Sequence, residues 1–400
     1  MSKAKTVVAL NVTELKDVIR HMINNNKFLQ ENNKPAGALE VVGPAGLGKT
    51  SVIIQMAEEF NLHCVKLNLS QLEEVENLVG YPHKELEVKN DVGETRWIPE
   101  SAVPKYIDQK FKPTGEKRMG YAIPEWIQGR EGGGILMLDD YSRASERFIQ
   151  ATMELVQRQE YLSWKLPRGW TVILTSNPSD GNYLVNELDP AQKSRFTSVN
   201  MKFDAKVWSE WADREKIDTR CINFVLLNPE IVSKDGNHAV NPRSITTFFN
   251  NISSIKDFDA ELPLIQMLGE GSVGPDISSM FTAFINNRLD RIITPAEILL
   301  GKNEDNIMAS IRSCVGKKGG KYRADIASTI ITRTANFALL HAEDNSITSD
   351  IISRLIRFIT EEDMIEHDLK YIFVKRLFTG NKQKFQKLLD NKDVIKLTIK

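Results

Sequence analysis

Cysteine is scarce in this chain of 400 residues. Cys64, Cys221 and Cys314 are odd in number and far apart, which excludes a disulfide framework. The six histidines form no cluster, and no Cys/His spacing resembles a zinc site. No apolar run approaches membrane-spanning length, and the start of the chain, MSKAK, has no apolar segment behind it of the kind that directs secretion. Charge of either sign is not in excess: 52 lysines and arginines face 53 aspartates and glutamates, so bulk charge draws the chain neither to nucleic acid nor to a membrane. Internal repeats and low-complexity tracts are absent as well. These absences predict a reduced, cytoplasmic protein with no membrane partner, and the length suggests two or three domains. With 41% hydrophobic residues, a core is feasible without covalent staples.

Against this plain background one stretch stands out. Gly43-Pro44-Ala45-Gly46-Leu47-Gly48-Lys49-Thr50 fills every fixed position of G-x-x-x-x-G-K-[ST], the phosphate-holding P-loop. Residues 39–42 (LEVV) before it read as a buried strand, and residues 51–57, beginning at Ser51, as an apolar helix start. In that setting the loop amides and the helix N-terminus can hold a triphosphate. Residues 43–51 are therefore the expected nucleotide-binding segment. Lys49 would reach the β- and γ-phosphates of ATP, and the Thr50 hydroxyl would ligate Mg2+.

The rest of the first half alternates strands and helices, which predicts a mostly parallel α/β sheet flanked by helices. Asn11 and Glu14 have capping-box spacing ahead of a helix to about residue 24. Further strands are expected at 64–69, 134–140, 170–176 and 199–203, with a helix to about residue 159 and a hairpin at 161–167. Residues 80–134 read as a long irregular stretch carrying Tyr81, Trp97, Tyr106, Tyr121 and Trp126. After Asp204 the pattern turns helical to the end, with polar breaks at 235–237, 269–274 and 316–320. Ile351, Ile352, Leu355, Ile356 and Ile359 show the helical spacing.

Several polar residues close the predicted strands. Asp139 ends a continuous apolar run and would hold Mg2+ opposite Thr50, while Asp140 beside it could polarise the attacking water. Taken alone, the pair could also cap a strand before a helix. Asn177 could orient the lytic water, although before Pro178 it is also a plain turn former. Arg195 could serve as an arginine finger, yet an arginine before a phenylalanine signifies nothing by itself.

The order of these pieces carries more than any one of them. Residues 135–144 (ILMLDDYSRA), 175–196 (TSNPSDGNYLVNELDPAQKSRF) and 241–244 (NPRS) give the chain a resemblance to the AAA+ ATPases, and within them to the MoxR-like and dynein-related group. The resemblance covers roughly residues 12–255. It implies an AAA+ nucleotide-binding core at 1–204, a helical lid at 205–255 and a further helical region at 256–400 for assembly or partner binding. It makes Asp139 the magnesium-side acid, Asp140 the catalytic base, Asn177 sensor 1, Arg243 the lid's sensor 2 and Arg195 a finger reaching a neighbouring subunit's nucleotide. A finger acting in trans implies a homo-oligomeric ring, most often a hexamer. The group usually has glutamate where this chain has Asp140, so hydrolysis is expected to be slow.

The function implied is that of an ATPase remodelling protein clients or complexes, with a separate von Willebrand factor A domain partner as one candidate. Two alternatives stay open: a nucleic-acid-associated AAA+ machine (clamp loader, helicase loader or restriction motor) and a slow ATP-dependent assembly switch. The aromatics of 80–126 could face a ring pore or cover their own domain. The basic run at 317–323 reads as a solvated loop rather than a phosphate-backbone contact.

Overall fold

The computed structural model describes residues 8–179, 183–233, 240–286, 292–316, 322–361 and 364–398. The chain divides into two compact units, Met1–Lys202 and Phe203–Lys400.

The first unit is built on a six-stranded sheet. In chain order its strands are β1 (Ala9–Leu10), β2 (Ala38–Val42), β3 (His63–Asn68), β7 (Gly134–Asp139), β10 (Trp170–Ser176) and β11 (Phe196–Met201). Their spatial order is β1-β11-β2-β10-β7-β3, and every neighbouring pair is parallel. A parallel sheet needs cover on both faces, which explains the unbroken apolar runs. In β7, Ile135 and Met137 face one layer while Leu136 and Leu138 face the other. The first layer is supplied by helix α1 (Val12–Glu31), through Leu15, Ile19 and Ile23, and by helix α2 (Lys49–Glu59), through Val52, Ile53 and Met56. The second is supplied by helix α3 (Glu146–Arg158), through Phe148, Ile149, Leu155 and Val156. Glu40 interrupts the apolar pattern of β2. Its buried carboxylate accepts hydrogen bonds from the Ser176 and Ser198 hydroxyls, each 2.7 Å away.

The capping box of Asn11 and Glu14 is formed as its spacing predicts, but α1 runs to Glu31, a turn and more beyond residue 24. Asn26 is buried in that extension and bonds the Gly37 backbone and Thr171, so tertiary contacts carry the helix through its asparagine-rich end. The hairpin at 161–167 is present as β8 (Glu160–Tyr161) and β9 (Trp164–Lys165).

The irregular stretch expected at 80–134 is a correction. It holds a three-stranded antiparallel sheet, β4 (Pro82–Asn90), β5 (Thr95–Pro99) and β6 (Phe111–Tyr121), ordered β5-β4-β6. Its core consists of Val88, Ile98 and Phe111, so most positions stay polar and the alternation is faint. A register shift between Leu86 and Val88 interrupts the period further. The aromatics of this stretch largely pack at home. Tyr106 meets Phe111, the Arg118 guanidinium lies 4.6 Å from the Trp97 ring, and the Trp126 indole donates to the Leu78 carbonyl while meeting Trp164 edge-on. Tyr81 is exposed and bonds Glu74.

Every regular element described in the second unit is a helix. One cluster gathers Trp208, Phe224, Phe248, Phe249 and Phe281 and continues to Ile285. Another runs from Ile292 to Val394 around Ile330, Leu355, Phe358 and Phe373. Buried Arg333 joins the helices between them, pairing with Asp213 at 3.0 Å and Asn223 at 2.7 Å. Helical spacing at 351–359 is confirmed by the helix Ser349–Thr360. The break expected at 269–274 is corrected: helix Leu262–Val273 continues through Gly269, and only Gly274 ends it. Gly269 is there for proximity, since a Cβ would lie 2.5 Å from the Ser278 hydroxyl of the next helix. The breaks at 235–237 and at 317–320 and most of the basic run at 317–323 lie outside the described residues.

Candidate functional site: the carboxyl end of the parallel sheet

The P-loop leaves β2 at its carboxyl end and turns directly into α2. Gly46 and Gly48 adopt φ of +79° and +89°, the left-handed region that side chains disfavour, and this turns the loop back over the helix start. The first turn of α2 has no acidic side chain, so its amides and positive dipole end favour an anion. Lys49 opens the helix. It is largely buried, and its ammonium donates to the carbonyls of Gly43 (2.6 Å) and Pro44 (3.0 Å) and to Asn177 Oδ1 (3.3 Å).

Strand order brings the other expected residues to the same edge, because β10 lies between β2 and β7. Asp139 ends β7, is 6% exposed, and uses both carboxylate oxygens. Oδ1 accepts from the Thr50 hydroxyl (3.0 Å) and the Thr175 hydroxyl (2.5 Å), and Oδ2 lies 2.9 Å from the Lys66 ammonium. Burial pushes the Asp139 carboxyl up, but Thr175, Lys66 and Thr50 together hold it below the ordinary carboxylate range. Asp140 follows in a left-handed conformation, φ +54°, and its N–H donates to Thr175 Oγ1. Its carboxylate makes no hydrogen bond among the described residues. Asn177, 6% exposed, is pinned through its N–H by the Ser142 hydroxyl, which leaves its side chain facing Lys49.

Arg195 is elsewhere. It immediately precedes β11, whose first residue, Phe196, is paired with Ala38 at the amino end of β2. Its guanidinium bonds Gln157 (3.0 Å), Met153 and the Ala191 carbonyl. From Ala38 to Gly43 is five strand steps, so Arg195 starts roughly 16 Å from the P-loop along the strand direction. Arg243 belongs to the second unit, exposed in the first turn of helix α4 (Pro242–Asn251), which Asn241 and Ser244 close with a capping box. Of the stretch 175–196, residues 180–182 lie outside the described residues.

Three residues of this edge escaped the sequence reading. Thr175 and Lys66 touch Asp139, and the Tyr183 hydroxyl accepts from the Ala45 N–H at 3.2 Å. Each contact crosses between strands or loops. Only the alternation of β3, which puts Lys66 on one face with Cys64, could have hinted at one of them.

The residues present fit a magnesium nucleotide. A buried carboxylate and a threonine in the first turn of α2 stand 3.0 Å apart beside a glycine-turned amide loop with a lysine at its base. Thr50 donates its proton to Asp139, so its lone pairs remain available to a cation. Among the described residues no cluster of three His, Cys, Asp or Glu side chains forms a separate metal site, and no helix is long and apolar enough to cross a membrane.

Comparison with known proteins agrees with this geometry. Residues 39–196 match the family model described as AAA domain (dynein-related subfamily). Midasin of Giardia intestinalis is 28% identical over 185 residues, 40% of this chain and 4% of the relative, so the chain matches only a small part of that much longer protein. Among solved structures, the Thermotoga maritima RuvB Holliday junction branch migration motor aligns at 14% identity over 77% of this chain and 80% of its own, with a TM-score of 0.35. A point mutant of the same motor gives 12% identity, 77% and 81% coverage and a TM-score of 0.36. Structural likeness at that level carries no argument about this chain. The P-loop, Asp139, Asn177 and Arg195 all fall inside the matched segment, so residues 39–196 are similar to an AAA domain of the dynein-related subfamily.

Proposed function

We propose that this chain is an ATPase of the MoxR-like type that works as a homo-oligomeric ring, most simply a hexamer, and remodels protein clients or complexes. In this reading residues 43–51 wrap the phosphates and Lys49 neutralises the β- and γ-phosphates. Thr50 and Asp139 would hold Mg2+, which would supply Lewis-acid charge neutralisation. Asp140 takes a proton from the attacking water as its oxygen bonds to the γ-phosphorus. The bond to the bridging oxygen breaks, and ADP and inorganic phosphate leave. Asn177 orients that water. Arg243 senses the γ-phosphate from the lid.

The position of Arg195 is the observation that carries assembly. A cation at the amino end of β11 is too far along the sheet to touch the phosphates of its own P-loop. It can stabilise phosphoryl transfer only on another subunit's nucleotide, which is why a ring is proposed rather than a monomer. The charge balance of the chain gives no comparable support to a nucleic-acid machine.

The reading is tested by measuring particle mass with ADP, ATP and a non-hydrolysable analogue, alongside turnover. Nucleotide-dependent assembly with turnover supports it. Assembly with negligible turnover would instead favour a switch, and stimulation of turnover by DNA would favour a nucleic-acid machine. An Asp140→Asn variant, expected to hold ATP without cutting it, should retain the client or a von Willebrand factor A domain partner on the affinity matrix when ATP is present.

A further inference from the structure

Lys66 has no part in the proposed hydrolysis, yet its ammonium is 2.9 Å from Asp139 Oδ2. The contact follows from the fold. β3 pairs with β7 in a register that sets Lys66 opposite Met137 and Asn68 opposite Asp139. Along β3, Cys64 lies on the face covered by α2, and Lys66, two residues on, shares that face. From there the lysine stem runs up the strand toward the carboxylate. Because β3 is an edge strand, the side chain has an open flank and remains 44% exposed, while the Asp139 side chain is 9% exposed.

Asp139 thus already has a full set of partners. Two hydroxyls serve one oxygen and a unit positive charge serves the other. A nearly buried carboxylate needs such compensation, since leaving it alone would carry the full desolvation cost. A divalent cation held between Thr50 and Asp139 would supply the same compensation, and it would stand within a few ångströms of the lysine ammonium. Two like charges at that separation repel strongly in a site of low polarity.

We propose that Lys66 is the resident counter-cation of Asp139 and competes with Mg2+. The ammonium neutralises the acid when the site is empty of metal and swings to the open flank when metal enters. Lys66 is then a positioning residue that sets how much Mg2+ the nucleotide site requires. This inference rests on the nucleotide site proposed above. It predicts weakened metal affinity, the opposite of what a phosphate-binding lysine would confer.

The experiment measures binding of a fluorescent ATP analogue to the full chain as a function of free Mg2+, with no turnover involved. Lys66→Gln should lower the Mg2+ midpoint by about tenfold, because the competing charge is gone. Lys66→Arg, which keeps the charge, should stay within about twofold of the parent. In the same samples, Lys66→Gln should melt earlier than the parent in EDTA and recover more when Mg2+ and the analogue are added, since its buried acid then depends on the metal alone. A Lys66→Gln midpoint that is unchanged or raised overturns the proposal, and a raised one would make Lys66 a phosphate ligand. Analogue binding by the parent together with an unmoved midpoint defeats this inference alone. No binding by the parent at any Mg2+ concentration defeats the nucleotide site and this inference with it.

Discussion

The two ends of the parallel sheet place their polar groups under opposite rules. At the carboxyl end Lys49, Asp139 and Asn177 are buried and bond one another or their neighbours across three strands and a loop. At the amino end Arg195 is half-buried, and among the described residues it bonds Gln157, Met153 and Ala191. The first set is a closed network that needs only a phosphate and a metal to be complete. The second is a cation whose bonds, among the described residues, are to neutral groups. In the proposed ring this difference divides the work: the carboxyl end binds the nucleotide, and the amino end meets the nucleotide of a neighbour.

The largest expected effect separates the two ends. Arg195→Ala should leave nucleotide affinity within about twofold yet lower kcat by roughly a thousandfold, the scale of a lost arginine finger. Mixing it with Asp140→Asn subunits should restore part of the turnover, because one kind of interface then combines an intact finger with an intact base. Loss of affinity and turnover together would erase the distinction. Lys49→Ala acts at the other end and should weaken ATP binding by about a hundredfold, the worth of its charge-assisted phosphate bonds, as read by calorimetry.

Asp140 refines the carboxyl end further. Its carboxylate is one methylene shorter than a glutamate's and so sits roughly 1.5 Å further back. Asp140→Glu should therefore raise kcat by about tenfold with ATP affinity unchanged. A slower glutamate variant would show that the left-handed turn at Asp140 already places the shorter acid correctly. The smallest effect is on stability. Because the folded carboxyl of Asp139 titrates below its usual 3.8, its contribution is present above that value and is lost as pH falls through the depressed one. Melting temperature should drop on acidification below about pH 4, and the drop should be shallower in Asp139→Asn.

Much of the binding end was legible in the residues. The P-loop, the apolar run closed by Asp139 and the strand before Asn177 are local signals, and each predicted element forms where buried parallel strands must be apolar throughout. The capping box at Asn11 was equally local. The sheet at 82–121 was not legible, because three core residues impose almost no pattern on three strands. Nor was the helix through Gly269, where tight packing against Ser278, rather than a break, accounts for the glycine.

By itself, then, the sequence determined that a phosphate loop sits between a strand and a helix and that an acid closes a later strand. Short-range chemistry is enough for that, since backbone conformation and apolar burial act over a few residues. Only the tertiary structure decided which strands are neighbours. That choice sets Thr175 and Lys66 on Asp139, brings Asn177 to Lys49 and sends Arg195 to the far end of the sheet. Strand order depends on how whole faces pack, and no window of local residues contains that information.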